Sequence, residues 1–480
     1  MNSKVFTVQD QHAFAQLSGD YNPIHVDDTL ARRLIFGSSI VHGVHAVLWA
    51  VERWIETQER RLDLRSLQVN FVKPIGVGDS VFCSIAEDAT ARVGIRLLVN
   101  DRVTTHISFT YADSTDQGSI KLHRSNPEPH ECKVLTSSDL DTAHGSIPLF
   151  LNPEAAAEIF PFLMRRLSSN HIALLLATSR LVGMECPGLH SILSGLEMAF
   201  GAEQSVGSTL DYSVSSFDSR FNCASVEIRS SKMEGKIRAF LRPPQQKQKD
   251  YSELRTLVGK SEFAGQHALI IGGTRGLGEA SAKLLCAGGA NVTFTYFRGA
   301  ADAQRLVSEV KAEGGSIRCF FLDVRESHGK LSSIAGWGHL PTHLYYFATP
   351  FIFSATSHVF STRLFQEFCS YYVVGFANLV SQLIEVGLRK IFYPSTIAVR
   401  DFPPNMGEYL VAKIAGENYC AFLEKNTQGL TIYKPRLPRL RTDQTVSLLH
   451  VDAQEPMTVI LRHLRKFREL SAKKDLSNRP

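Results

Sequence analysis

The chain lacks a secretory leader pattern, a long unbroken apolar run, paired cysteines and a strong net charge, and each lack narrows the reading. Met1-Asn2-Ser3-Lys4-Val5 leads straight into polar Gln9-Asp10-Gln11, without the apolar core of an export signal. The most apolar stretches, 172–184 and 371–388, are broken by Arg180 and by Asn378, Gln382 and Glu385, so neither reads as a membrane span. Eight cysteines are scattered with no Cys-x-x-Cys pair, which reads as reduced core thiols of a cytosolic protein, with no metal expected. A net charge of +5 over 480 residues, without a basic stripe interleaved with aromatics, argues against a nucleic-acid partner. What remains is 44% hydrophobic and 21% charged, a soluble globular composition with room for two to four domains.

Near the start stands Ser18-Gly19-Asp20-Tyr21-Asn22-Pro23-Ile24-His25. Proline fixes its own φ and pushes the preceding residue out of the α region, so Asn22-Pro23 is a stiff bend. The bend either leaves Asp20 and His25 solvated on a surface turn or points both into one cleft. In a cleft, a carboxylate and an imidazole can hold a water and pass a proton. Downstream follow Phe36-Gly37, Ile40-Val41-His42-Gly43 and the largely apolar run Val44 to Val51. Alternating residues then predict strands over 67–71, 81–85, 93–100 and 104–111, with a turn at 73–79.

This pattern resembles the hydratase signature of the MaoC-like hotdog proteins, the (R)-specific enoyl-thioester hydratases, over about the first 115 residues. The resemblance implies a catalytic dyad of Asp20 and His25. It also implies that Gly43, opening a helix, offers its N–H to the thioester oxygen. A helix N-terminus carries unpaired N–H groups and a positive partial charge, which suits that role. Here Val44-His45 stands where the family commonly has Met-Leu.

The polar stretch 113–144 reads as a connection after a first domain at 1–130. A second, degenerate copy follows over 145–242. A helical pattern runs from 152 to 176, Val182-Gly-Met-Glu-Cys-Pro-Gly188 looks like a helix entry, and an apolar helix is expected to run from Pro187-Gly188 to Phe200. Strands are expected over 210–217, 220–229 and 235–241. No dyad recurs, and His171 and His190 are expected to pack or face solvent. Such a copy would complete a double hotdog and wall the acyl tunnel. Residues 243–261, opening Pro243-Pro244-Gln245-Gln246, read as a linker.

Beyond it the grammar changes. His267 to Ile271 is a buried strand, and Gly272-Gly273-Thr274-Arg275-Gly276-Leu277-Gly278 turns directly into a helix. Strand, glycine turn and helix form a dinucleotide-binding start, with Gly272, Thr274, Arg275, Gly276 and Gly278 around the pyrophosphate. Further strands are predicted over 291–297 and 317–322. Arg298 lies 20 residues after Gly278, where NAD-specific folds place an acidic residue for the ribose hydroxyls. A guanidinium there either caps a solvated strand end or suits a 2′-phosphate, with Arg275 adding charge, so NADPH is expected over NADH.

The glycine spacing is similar to that of the short-chain dehydrogenase/reductases, and other landmarks of that family follow over roughly 262–445, within a domain read as 262–470. Asp323-Val324 resembles the adenine contact. Tyr409-Leu-Val-Ala-Lys413 matches the family's Tyr-x-x-x-Lys, with hydroxyls 13 and 14 residues upstream at Thr396 and Ser395. The resemblance implies that Tyr409 donates a proton to a carbonyl and that Lys413 lowers the phenol's pKa while holding the ribose; the usual spacing favours Thr396 over Ser395 for substrate orientation. Phe347-Ala-Thr-Pro350 replaces the family's Asn-Asn-Ala-Gly turn, and Tyr372 stands for the relay asparagine. The run Pro435-Arg436-Leu437-Pro438-Arg439-Leu440-Arg441 also lacks the usual Pro-Gly.

The fold class read from the sequence is therefore an α+β double hotdog followed by an α/β Rossmann-like, doubly wound parallel sheet. The function read is a cytosolic bifunctional enzyme of fatty-acyl metabolism. It would combine an (R)-specific enoyl-thioester hydratase, or 3-hydroxyacyl dehydratase, with an NADPH-dependent 3-oxoacyl-thioester reductase. Its partner is an acyl thioester of coenzyme A or an acyl-carrier protein, with no nucleic acid and no membrane; a homo-oligomer is compatible with it. The alternative is an active hydratase whose C-terminal half binds nucleotide as a scaffold or sensor, or acts on an unrelated carbonyl.

Overall fold

A computed structural model describes residues 2–87, 92–114, 122–201, 208–231, 233–326, 339–353, 359–448 and 451–477. The chain divides into two compact units, Met1–Pro244 with Ser447–His450, and Gln245–Val446 with Val451–Pro480.

The first unit is built on one ten-stranded sheet. Its strands are β1 (Ser3–Val5), β2 (Leu62–Phe71), β3 (Ser80–Glu87), β4 (Arg92–Val99), β5 (Arg102–Asp113), β6 (His144–Pro148), β7 (Ser191–Phe200), β8 (Thr209–Asp218), β9 (Cys223–Ser230) and β10 (Met233–Leu241). They lie in the order β1-β3-β4-β5-β2-β7-β10-β9-β8-β6. From each outer edge inward, both halves follow the same sequence of first, third, fourth, fifth and second strand. The halves join where β2 and β7 pair antiparallel, from Ser66 opposite Ala199 to Asn70 opposite Gly195. In each half a helix lies in the core. The helix Gly43–Ile55 buries every residue except Gly43 and Arg53, and Ser169–Arg180 buries all but its first two. Alternation puts Leu67 and Val69 of β2, and Val226 and Ile228 of β9, into the same core.

The second copy departs from the reading at its helix. The stretch 191–200, expected as helix, is β7, and the helix comes before Pro187-Gly188 rather than after it. Pro187 cannot continue a helix, and Gly188 takes φ +77°, so the pair ends the segment that the helix and its π-helical turn Leu181–Glu185 begin. Residues 182–188 are thus a helix exit, not an entry. Part of the 113–144 connection, 115–121, lies outside the described residues.

The second unit carries β11 (His267–Ile271), β12 (Asn291–Tyr296), β13 (Ile317–Phe321), β14 (His343–Tyr346), β15 (Lys390–Phe392), β16 (Ser395–Thr396), β17 (Thr431–Tyr433) and β18 (Arg436–Leu437). Six of them form a parallel sheet in the order β13-β12-β11-β14-β15-β17, and β16 pairs with β18. The order reverses between β11 and β14, and ligands of such sheets bind beyond the carboxyl ends of the strands at that switch point. The stretch 243–261 is not a bare linker. Tyr251, Leu254 and Val258 are buried in the unit's core, because a short helix, Tyr251–Leu254, turns apolar side chains inward.

Gly278 fixes how closely the helix Gly276–Ala287 meets the turn after β11: a Cβ there would sit 2.0 Å from the Gly272 carbonyl oxygen. Gly278→Ala must push backbone against backbone. It should destabilise the second unit by about 1–3 kcal/mol, read as a lower urea midpoint for that unit's transition.

Candidate active sites

The helix Val8–Ser18 stops at Gly19, which caps it with φ +77°. The next residues form the bend the sequence predicts, and it is buried rather than solvated. Asn22 accepts from the Ile24 N–H at 3.2 Å, starting the turn Pro23–Val26. Its amide donates to the carbonyls of Gly183 (3.0 Å) and Gly188 (3.3 Å), in the other half of the sheet unit. Asp20 is 3% exposed. Its carboxylate accepts from the Ser179 hydroxyl at 2.7 Å and the Asn22 N–H at 3.2 Å. Gly183 packs so close that a Cβ there would meet Asp20 Oδ1 at 2.0 Å.

His25 Nδ1 lies 2.8 Å from the Ile40 carbonyl oxygen. A carbonyl only accepts, so Nδ1 carries the hydrogen and Nε2 is left as a base. Burial raises the Asp20 pKa against the pull of His25, Ser179 and Asn22. Burial lowers that of His25, against the pull of Asp20. The two proton affinities approach each other, which makes proton exchange around the pair inexpensive. Gly43 opens the helix Gly43–Ile55, so its N–H has no intrahelical partner.

In the second unit Gly272 (φ +81°) and Gly276 (φ +56°) adopt left-handed backbone, as a tight phosphate-binding turn requires. Thr274 is buried, and Arg275 is the N-cap of the helix that follows. Arg298 follows the end of β12 and lies over the Phe297 ring, 5.5 Å from its centroid. Asp323 is held by Arg325, with bonds of 2.9 Å and 2.6 Å, while that guanidinium also stacks on Phe297 and Tyr371. Val324 is buried beside it.

Tyr409 and Lys413 lie on the helix Gly407–Asn426. Burial raises the Tyr409 phenol's pKa, with the Thr396 hydroxyl opposing, and the buried Ser395 hydroxyl has no hydrogen-bond partner among the described residues. Lys413 Nζ donates to the Pro394 carbonyl at 3.0 Å and sits 3.9 Å from the Tyr372 ring centroid. Burial pushes its pKa down to about 7, against weaker pulls from Cys420 and Glu417. The Tyr372 hydroxyl is bonded to Thr349, and its ring stands edge-on to Tyr409 at 5.8 Å.

Comparison with known proteins agrees with both halves. The family model of the MaoC like domain matches residues 2–106, and that of the short chain dehydrogenase matches 266–336. The chain joins a MaoC-like domain to a short-chain dehydrogenase domain. The MaoC-like domain is hotdog-folded, and the dehydrogenase domain has a Rossmann-like parallel sheet. The chain is 45% identical over 42 residues (9% of its length, 5% of the relative's) to the peroxisomal hydratase-dehydrogenase-epimerase of Saccharomyces cerevisiae. It is 32% identical over 79 residues (16% of its length, 47% of the relative's) to the mitochondrial 3-hydroxyacyl-[acyl-carrier-protein] dehydratase of Arabidopsis thaliana. The chain therefore spans less than half the length of these curated relatives. Among solved structures, a putative short chain dehydrogenase from Escherichia coli CFT073 complexed with NADPH is 16% identical, over 44% of this chain and 93% of that one, with a TM-score of 0.40. A short chain dehydrogenase from Burkholderia cenocepacia J2315 in complex with NADP is 20% identical, over 43% and 91%, with a TM-score of 0.37.

Sequence reasoning did not single out His42, Ser179 or Gly183 in the MaoC-like unit, or Arg325 and Thr349 in the dehydrogenase domain. His42 stood inside the quoted motif and Arg325 two residues from Asp323, so both had a local signal. Ser179 had none, and Gly183, although inside the 182–188 motif, had none for this role, because both reach Asp20 only through tertiary packing. Asp20, His25 and His42 also form a three-ligand cluster whose donor atoms lie within 4.8 Å. His42 Nε2 already faces the Asp20 main-chain oxygen at 2.9 Å, which leaves no room along that lone pair for an ion about 2.0 Å away. Among the described residues no helix is long and apolar enough to cross a membrane.

His45, inside the central helix, is fully buried with both ring nitrogens unpartnered, stacked on Phe14 at 4.6 Å. Burial holds its pKa down to about 3, with Lys4 adding to the shift and Asp10 opposing it. A folded-state pKa below the unfolded one gives stability that is present above about pH 6.5 and lost as pH falls toward the folded value. His45→Phe removes that loss. Between pH 6.5 and 5 the variant should gain about 2 kcal/mol on the wild type, read as diverging urea midpoints of the first unit. Parallel pH slopes would contradict the assignment.

Proposed function

We propose that the chain is a bifunctional enzyme acting on acyl thioesters. In this reading the first unit is a double hotdog that interconverts (R)-3-hydroxyacyl and trans-2-enoyl thioesters, and the second is an NADPH-dependent 3-oxoacyl-thioester reductase. One observation carries the hydratase half: a bend with buried Asp20 brings half-buried His25 within 4.8 Å of its carboxylate, with His25 Nε2 left as a base. Dehydration removes a Cα proton and releases the 3-hydroxyl as water. His25 Nε2 can take a proton, and Asp20, whose proton affinity burial raises, can give one. Gly43 N–H then supports the negative charge on the thioester oxygen. The repeated strand order supports the second half as a hotdog copy without a dyad, whose part is to hold the Asp20 bend.

For the reductase, Gly272, Thr274, Arg275, Gly276 and Gly278 form the turn that suits a pyrophosphate, and Asp323 and Val324 the adenine side. A bound nicotinamide supplies the hydride. Tyr409 gives its proton to the carbonyl oxygen, and Thr396, whose hydroxyl lowers the phenol's pKa, orients that oxygen. Lys413 is the charge beside the phenol and the ligand for the ribose. A second reading, a nucleotide-binding scaffold without turnover, draws on Tyr372: its ring covers the Lys413 ammonium, which is bonded to Pro394. Nicotinamide absorbance with acetoacetyl-CoA separates the two, since the scaffold binds cofactor without oxidising it.

Asp20→Asn and His25→Ala should each reduce hydration of a trans-2-enoyl thioester by at least about a hundredfold while carbonyl reduction persists. A hydration rate untouched by both substitutions would sink the dyad. For cofactor choice, Arg298→Ala should cost about 1.5–3 kcal/mol of the 2′-phosphate contact, or roughly tenfold to a hundredfold in NADPH affinity, and leave NADH nearly unchanged. Equal losses for both cofactors, or a wild type that prefers NADH, would remove the arginine from that role.

A further inference from the structure

Resting on the hydratase reading, we infer that His42 is a third working member of that site, a positioning residue that fixes the Asp20 main chain and the His25 ring. His42 is fully buried, and its polar contacts are to Gln11 and the Asp20 main chain. One ring nitrogen lies 2.9 Å from the Asp20 main-chain oxygen and the other 2.9 Å from Gln11 Oε1. The ring is stacked on that of His25, with centroids 3.9 Å apart and planes 25° from parallel. Its main chain precedes Gly43, and it is the N-cap of the central helix without using its side chain as a cap. One residue thus touches the carboxylate's backbone, the base's ring and the helix end that carries the candidate oxyanion donor.

Packing alone does not account for this arrangement. Phenylalanine would fill the same space against Phe14 and His25 without polar atoms. Instead the protein also buries Gln11, at 0% exposure, whose oxygen accepts from the His42 main-chain N–H (3.0 Å) and lies 2.9 Å from Nδ1, while Gln11 Nε2 has no partner. A buried amide left half-satisfied is costly unless its remaining bonds matter. They hold the His42 ring in its plane. A neutral imidazole has one N–H to place between the two facing oxygens, and burial together with His25 keeps the ring neutral. With both nitrogens facing protein oxygens and no exposed edge, His42 takes no proton from substrate. Its effect runs through Asp20 and His25, whose geometry an error of one ångström would degrade by about a hundredfold.

The test uses the full chain, crotonyl-CoA as probe, and three variants. His42→Phe keeps the volume and loses both polar contacts of the ring. His42→Gln carries an amide about as far as Nε2, so it can donate to the Asp20 oxygen, whereas His42→Asn reaches only the Gln11 side. The expected result is that kcat for hydration falls about ten- to a hundredfold in the Phe and Asn variants, with KM within about twofold of wild type, and that Gln recovers most of it. Urea midpoints of the first unit are measured alongside, and the Gln–Asn comparison is made between variants of matched stability. A Phe variant with wild-type kcat, or Gln and Asn variants that lose rate equally, overturns the inference. A wild-type chain inert toward crotonyl-CoA instead takes down the hydratase reading on which it rests.

Discussion

The Asn22 side-chain amide, buried and donating to the carbonyls of Gly183 and Gly188, is the contact on which the candidate hydratase site depends. A buried amide donor needs an acceptor, and these acceptors belong to the far half of the ten-stranded sheet. Through them the Asp20 bend is pressed onto the π-helical turn Leu181–Glu185, where Gly183 leaves room for a carboxylate and no more. The half that lacks a dyad is therefore still part of the site. Without the β2–β7 pairing that joins the halves, the bend would have no wall and Asp20 no Ser179 hydroxyl.

Burial then does most of the electrostatic work. It penalises charge on Asp20 and His25 alike, raising one proton affinity and lowering the other. It also leaves the histidines on the central-helix side neutral when folded, most plainly His45. The same low-polarity interior that tunes the pair makes this unit sensitive to acid, because the unfolded chain regains those protons.

The dehydrogenase domain shows a different balance. Its glycine turn and parallel sheet follow the dinucleotide-binding pattern, yet the ring of Tyr372 occupies the neighbourhood of Lys413, and Lys413 is bonded to a main-chain carbonyl. An ammonium buried away from water loses part of its preference for charge. Burial raises the Tyr409 phenol's pKa, and the Thr396 hydroxyl on β16 opposes it.

How much was legible in advance follows from where each signal resides. Period-two alternation marked β2 to β5 and β8 to β10, and a proline-stiffened bend marked the Asp20 turn, since both are local properties of the chain. The glycines at 272, 276 and 278 were readable for the same reason: left-handed backbone and close approach exclude other residues there. The stretch 191–200 was misread as helix, although Leu196, Met198 and Phe200 alternate with half-buried Glu197 and exposed Ala199, because the meaning of Pro187-Gly188 as a stop depends on the helix before it. Only the tertiary structure decided that Ser179 and Gly183 face Asp20, that Asn22 reaches Gly188, and that Tyr372 lies on Lys413. Those contacts join residues tens to more than a hundred positions apart, so no local propensity encodes them; they exist because the sheet order and the packed helices bring distant segments to one place.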